Sequence, residues 1–257
     1  MKNYQITPKI ESLLQKLESG KLKLMSKGST NAKTEKNNLE TFIMYMSPFN
    51  QNSKNINICP KAKNCVSLCL NSAGRGVFNS VQVARQARTE FYIKDRNKFA
   101  ISLHNQIKSI YDKAIREGKK IAIRLNGTSD LDFIAILKNR LNIDVLELYS
   151  TTIESDKPGL IFYDYTKILG KIEKYKGSNY TLTFSYDSNQ EDANRALKLG
   201  SNVAVVFRSK DLPEKFMETT VIDGDKTDIE MLQYSGKILG LSAKGRAKKD
   251  ATGFVVN

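Results

Sequence analysis

The second half of the chain alternates short apolar runs with helical stretches, and this rhythm restricts the fold more than any other feature. The runs Ile121 to Leu125, Val145 to Tyr149, Tyr180 to Phe184, Val203 to Phe207, Thr219 to Ile222 and Ile238 to Leu241 have the length and residue types of strands. Thr41 to Met46, β-branched and aromatic, adds another before Ser47-Pro48. Strands separated by helical crossovers run parallel in one sheet. About six or seven strands fall short of the eight that close a standard barrel. The fold expected is therefore α/β: a partial or irregular β/α (TIM-like) barrel of mostly parallel strands.

Ahead of it, Thr7 caps a helix opening at Pro8, whose Ile10, Leu13, Leu14 and Leu17 form one apolar face ending at Gly20. Lys21 to Asn38 reads as a basic loop, so residues 1–40 form an N-terminal helical and basic extension and residues 41–257 a single β/α domain. Phe78 to about Glu117 is helical, broken near Asp95, with Phe99, Leu103, Ile107 and Ile110 as the buried stripe of its second helix. No run approaches the roughly 20 apolar residues of a membrane span, and Met1 to Tyr4 carries no secretory signal, so no membrane and a cytosolic location are expected. The net charge of +14 is uneven: residues 1–124 hold 23 basic and 8 acidic side chains, the remainder 18 and 19. Such a field suits a polyanion, nucleic acid above all; a lysine-rich solvated surface accounts for it equally. The oligomeric state is not encoded in any motif.

Three cysteines fall within eleven positions, as Cys59-Pro-Lys-Ala-Lys-Asn-Cys65-Val-Ser-Leu-Cys69. A chain of this size needs no disulfide staples, and C-x5-C-x3-C is short enough to wrap three thiolates around one centre. Structural zinc takes four ligands, and the sole histidine, His104, lies on the striped helix. An iron–sulfur cubane, in contrast, can be held by three cysteines with one iron open to a ligand. Three inert buried thiols are the bland alternative.

A strand, a three-cysteine loop and then alternating strands and helices resemble the radical S-adenosylmethionine superfamily, although that family spaces its loop C-x3-C-x2-C. More closely, Cys59-Pro-x-Ala-x-x-Cys65-x-x-x-Cys69-Leu-Asn-x-Ala-Gly-Arg-Gly76, Arg124-Leu-Asn-Gly-Thr-Ser-Asp130 and Phe162-Tyr-Asp-Tyr-Thr-Lys167 resemble bacteriophage proteins of the gene product 88 type across most of the chain. That second resemblance implies a phage gene expressed in the cytoplasm of a bacterial host and carries no established activity. The first implies a [4Fe–4S] cluster on Cys59, Cys65 and Cys69, with S-adenosylmethionine at the open iron. It would then assign Asn126, Gly127, Thr128, Ser129 and Asp130 to the methionine end, although the usual Gly-Gly-Glu-Pro is absent.

Ser185 and Asp187, at the end of a later strand, are candidates for the rest of that cofactor, because β/α folds bind ligands at the carboxyl ends of their strands. Tyr163, Asp164, Tyr165 and Lys167 belong to the same rim if Leu160 to Tyr163 is a strand end. Thr128, Ser129 or Asp130 can instead cap a helix over Leu131 to Leu137. Arg75, Arg85, Arg88, Lys244 and Arg246 are candidate phosphate or nucleic-acid contacts, with ion pairing to Glu90 or Asp95 the competing use of the arginines. Three functions follow as expectations. The first is an iron–sulfur, radical S-adenosylmethionine-like enzyme acting on a nucleic-acid-related or protein substrate. The second is a non-enzymatic nucleic-acid-binding protein with structural or zinc-bound cysteines. The third is a Mg2+-dependent phosphoryl-transfer enzyme using Asp130, Asp187, Asp223 and Asp225.

Overall fold

A computed structural model describes residues 4–28 and 39–257. Helix α1 (Pro8–Glu18) starts as its sequence dictates: the Thr7 hydroxyl accepts from the Ile10 N–H, and Ile10, Leu14 and Leu17 are buried. The expected basic loop is partly a strand, β1 (Met25–Lys27), while its residues 29–38 lie outside the described ones. The Gln106 side-chain carbonyl fixes β1 by accepting from the Leu24 and Met25 N–H groups. Then come β2 (Thr41–Met44), the short α2 (Cys65–Leu68), α3 (Asn79–Lys94) and α4 (Arg96–Arg116). Asp95 ends α3 and caps α4 through the Lys98 N–H, and Phe99, Leu103, Ile107 and Ile110 are buried as their spacing predicts.

The sheet continues with β3 (Lys120–Arg124), α5 (Phe133–Leu141), α6 (Val145–Tyr149), β4 (Gly159–Thr166), α7 (Leu169–Tyr175), β5 (Tyr180–Ser185), α8 (Gln190–Lys198) and β6 (Val203–Phe207). It ends with β7 (Lys215–Phe216), β8 (Thr219–Asp223), α9 (Asp228–Met231), β9 (Ile238–Ser242) and β10 (Val255–Val256). The expected strand at Val145 to Tyr149 is thus a helix. The Asp144 carboxylate accepts from the Leu146 and Glu147 N–H groups and starts a helical turn that the apolar run alone does not announce.

Ten strands form one sheet in the order β1-β2-β3-β4-β5-β6-β9-β8-β7, with β10 beside β6. β2 through β6, β9 and β8 run parallel, while β1 and β7 are antiparallel margins. No pairing joins β1 to β7 among the described residues, so the sheet is open. β10 pairs with Val206 and Phe207, just beyond the Val203 and Ala204 positions used by β5. Because β2 to β6 follow one another in chain order, right-handed crossovers place their helices on a single face. On that face Ile121, Ile123, Phe162, Leu182, Val203 and Val205 share one core with Phe91, Phe99, Leu103 and Phe133. Strand alternation turns Ala122 and Tyr163 to the other face, where they meet Ile229 of α9. All parallel strands end along one rim, and the loops after β2, β3, β4 and β5 gather there.

Candidate functional site

The cysteines follow β2: Cys59 lies in the loop, Cys65 opens α2 and Cys69 ends it. The Phe49 N–H donates to Cys59 Sγ at 3.3 Å, Cys59 Sγ lies 3.7 Å from the Thr128 carbonyl oxygen, and the Asn71 N–H donates to Cys69 Sγ at 3.4 Å. None is in a disulfide and all three are half-buried. Burial pushes the Cys59 thiol up to about 12, with Cys69, Asp130 and Cys65 adding to the effect. Burial likewise pushes Cys65 up to about 11, opposed by Lys167 and reinforced by Asp187 and Cys69. Cys69 is raised by burial against the pull of Arg85 and Lys167. The three sulfurs therefore feel one another, and Cys65 and Cys69 share the field of Lys167. Among the described residues, no group of three or more His, Cys, Asp or Glu side chains converges closely enough to hold a single metal ion. His104 is placed elsewhere: its Nε2 meets the Tyr149 hydroxyl at 3.0 Å, and Ser150, directly after α6, bridges to Leu160 at the start of β4.

Directly beside Cys59, the loop after β3 is tied internally. Asn126 Oδ1 accepts from the Ser129 hydroxyl and the Leu131 N–H, and Asn126 Nδ2 donates to the Leu131 carbonyl and to Asp164. Asp130 accepts from the Thr166 hydroxyl and the Lys167 N–H and pairs with buried Lys171 at 3.0 Å. The Thr128 hydroxyl donates to the Met46 carbonyl, linking the loop to the end of β2. The helix cap is Asp132, not Thr128, Ser129 or Asp130, and the helix begins at Phe133 because the preceding residues are already held by Asn126 and Lys171. At Gly127 a Cβ would lie 2.5 Å from the Tyr45 ring, so only glycine lets the loop approach that aromatic side chain.

Lys167, Ser185 and Asp187 meet where β4 and β5 end. Lys167 Nζ donates to the Ser185 carbonyl and hydroxyl at 3.2 Å and to the Tyr186 carbonyl at 3.3 Å, and it lies 3.4 Å from Asp187 Oδ2. Both Asp187 oxygens are buried and accept no hydrogen bond, and the side chain is only 9% exposed. A carboxylate so placed costs stability unless something else satisfies it. Asp130 and Asp187 are thus engaged by different lysines, Asp225 pairs with Lys244, and Asp223 is exposed on β8. The four carboxylates expected to share Mg2+ do not form a cluster.

The arginines divide. Arg85 lies over the Tyr45 ring with 4.8 Å to its centroid, and its guanidinium donates to the Asn71 carbonyl and side chain. This fixes the turn after Cys69. Arg88 is buried and donates to the Ala84 carbonyl at 3.2 Å, while Arg75 and Arg246 are exposed. Glu90 accepts instead from the Ser53 N–H and hydroxyl, so it pairs with neither arginine.

Asp164, placed at the rim by sequence, turns to the helix-side core and accepts from the Leu125 and Asn126 N–H groups and the Tyr180 hydroxyl. Period-2 alternation separates it from Tyr163 and Tyr165, which donate to Asp228 on the opposite face. Arg124, stacked on Tyr165 and 3.5 Å from Asp228, completes that second network. Burial alone would lower the Arg124 pKa, but Asp228 above all keeps it raised. Sequence gives no signal for this pairing, because Asp228 arrives from α9, far along the chain.

These features define a sequentially wound, mostly parallel α/β protein with a thiol-bearing rim at its strand ends. The sequence profile of the gene product 88 family matches residues 16–257, and the chain belongs to that family. Neither the curated proteins nor the solved structures contain a match. Among the described residues no helix is long and apolar enough to cross a membrane.

Proposed function

We propose that this chain is an iron–sulfur enzyme in which Cys59, Cys65 and Cys69 hold a [4Fe–4S] cluster at the strand-end rim of an open β/α sheet, leaving one iron for S-adenosylmethionine. The observation that carries the reading is that three half-buried, unpaired thiols lie near enough to influence one another beside the strand ends. Their chemistry fits the group: desolvated thiols ionise only when a strong positive centre replaces water, and iron supplies it. Three thiols suffice for a cubane with one open iron, whereas four-coordinate zinc lacks a fourth Cys or His ligand here because His104 is engaged by Tyr149. When bound, such a cluster supplies one-electron chemistry to a ligand at its open iron.

The chain's own residues do the positioning. Gly127 admits Tyr45, Thr128 ties the β3 loop to β2, and Arg85 holds the turn after Cys69. Because Asn126, Ser129 and Asp130 are internally bonded, they shape the rim beside the cysteines, and Asp187 with Lys167 supplies the polar group that a bound ligand would satisfy. Substrate contact falls to the open rim, for which a nucleic-acid-related or protein substrate remains the proposal. The test is anaerobic purification with metal and sulfide analysis and a visible spectrum. The expected result is a brown protein that loses iron on any single Cys→Ala substitution; a triple substitution retaining full iron and colour overturns the reading. The basic first half favours one alternative, nucleic-acid binding without an enzymatic role, which predicts salt-sensitive affinity independent of iron.

A further inference from the structure

Between Glu40 and Glu90 the sequence contains no acidic residue at all. This stretch includes the cysteine loop and, directly after it, a chain of tight turns. The Ala73 N–H donates to the Leu70 carbonyl, Gly76 to Ala73 and Phe78 to Arg75. Three large apolar side chains are left in water there: Leu70 is 61% exposed, Val77 62% and Phe78 58%. Basic residues surround them in sequence and in space. Lys61, Lys63 and Arg75 are exposed within the stretch. The turn at Gly245–Lys249, with Arg246, Lys248 and Lys249 exposed, packs against α2 and the 70–72 turn, where a Cβ at Gly245 would lie 3.3 Å from that of Ala73.

We propose that this face is a docking surface for an acidic protein, with Leu70, Val77 and Phe78 as its apolar centre and the lysines and arginines as its rim. An apolar core within a charged rim is the usual anatomy of a protein interface. Base stacking would use Phe78 alone, since Leu70 and Val77 offer no aromatic face, whereas a protein surface uses all three. A second copy of the chain would oppose two basic rims, which repel. The adjoining thiols narrow the class of acidic protein to a one-electron carrier; that narrowing rests on the iron–sulfur reading, whereas the docking surface does not.

The experiment titrates two acidic carriers, a flavodoxin and a [2Fe–2S] ferredoxin, onto the full chain by calorimetry at about 50 mM and about 300 mM salt. A Val77→Glu, Phe78→Glu variant, a milder Phe78→Ser variant and a remote Lys157→Glu control are compared, each with its thermal melt. The expected result is binding of at least one carrier that weakens at least tenfold in the double variant and at high salt, and is unchanged in the control. Absence of binding by both carriers, or equal binding by the double variant, overturns the proposal. So does a short single-stranded RNA that binds and loses affinity in the same variants. Repeating the titration with Cys59, Cys65 and Cys69 all replaced by Ser separates the two ideas: failure of the wild type to take up iron counts against the cluster, and loss of carrier binding against the surface.

Discussion

In the metal-free protein, burial should silence the three thiols. An ordinary cysteine, with a pKa of about 8.5, is roughly one-quarter thiolate at pH 8. With Cys59 pushed up to about 12 and Cys65 to about 11, the thiolate fractions at that pH fall to roughly one in 10,000 and one in 1,000. Since the thiolate is the nucleophile, iodoacetamide should modify Cys65 about 250-fold and Cys59 about 2,500-fold more slowly than the same cysteines in urea. The assay is labelling of reduced, chelator-treated protein without oxygen, followed residue by residue by mass spectrometry from pH 7 to 10. Steric shielding and desolvation leave different traces. Shielded thiols of ordinary acidity level off above about pH 9, whereas desolvated ones continue to gain about tenfold per pH unit. Labelling at pH 8 as fast in the folded as in the unfolded chain, or a plateau near pH 9, would refute the reasoning.

Glu40 gives an acid-side prediction. Burial alone would raise its carboxyl, but Lys113, Lys27 and Lys119 hold it down at about 2 against an ordinary 4.5. Its ionised form therefore contributes stability above pH 4.5, and this is lost as the pH falls toward 2. At face value that is about 3 kcal/mol, reduced to about 1–2 kcal/mol because Lys27 and Lys119 are 61% and 39% exposed. Urea unfolding of Glu40→Gln across this range should lose that part of the pH dependence, and an unchanged profile contradicts it. Gly127→Val should cost about 1–3 kcal/mol by displacing Tyr45, visible in a thermal melt and in altered tyrosine fluorescence. Asp187→Asn should leave metal-free stability within about 1 kcal/mol, because the lost 3.4 Å ion pair to Lys167 is offset by removing a buried carboxylate that accepts no hydrogen bond, and Lys167 keeps its three bonds to Ser185 and Tyr186; it should weaken S-adenosylmethionine binding to the iron-loaded protein. A large loss of metal-free stability would make Asp187 a structural residue instead.

How much of this was readable beforehand depends on how local each determinant is. β5 and β6 announce themselves because Tyr-Thr-Leu-Thr-Phe and Val-Ala-Val-Val-Phe are β-branched and aromatic between turn residues. The margins β1, β7 and β10 are two or three residues long and exist only through pairing with a neighbour, so no periodicity reveals them. Val145 to Tyr149 misleads because a short apolar run suits strand and helix alike, and one capping carboxylate decides. The cysteine rim, Ser185 and Asp187 were legible from their place after strands. Lys167 was legible as a rim residue, but its pairing with Asp187 and that of Lys171 with Asp130 were not, since such ion pairs join segments on different strands. Arg85 and Arg88 show the same limit from the other side: three apart on one helix, both turn inward, 7% and 9% exposed, and both donate to backbone carbonyls rather than facing a phosphate.

The most direct test of the central claim is Mössbauer spectroscopy of the anaerobically prepared protein enriched in a Mössbauer-active iron isotope, before and after S-adenosylmethionine is added. A cluster with three cysteine ligands predicts about four irons per chain, one of which changes its spectrum on addition while three do not. A protein that binds no iron under these conditions, or whose irons all remain equivalent and unmoved, would contradict it.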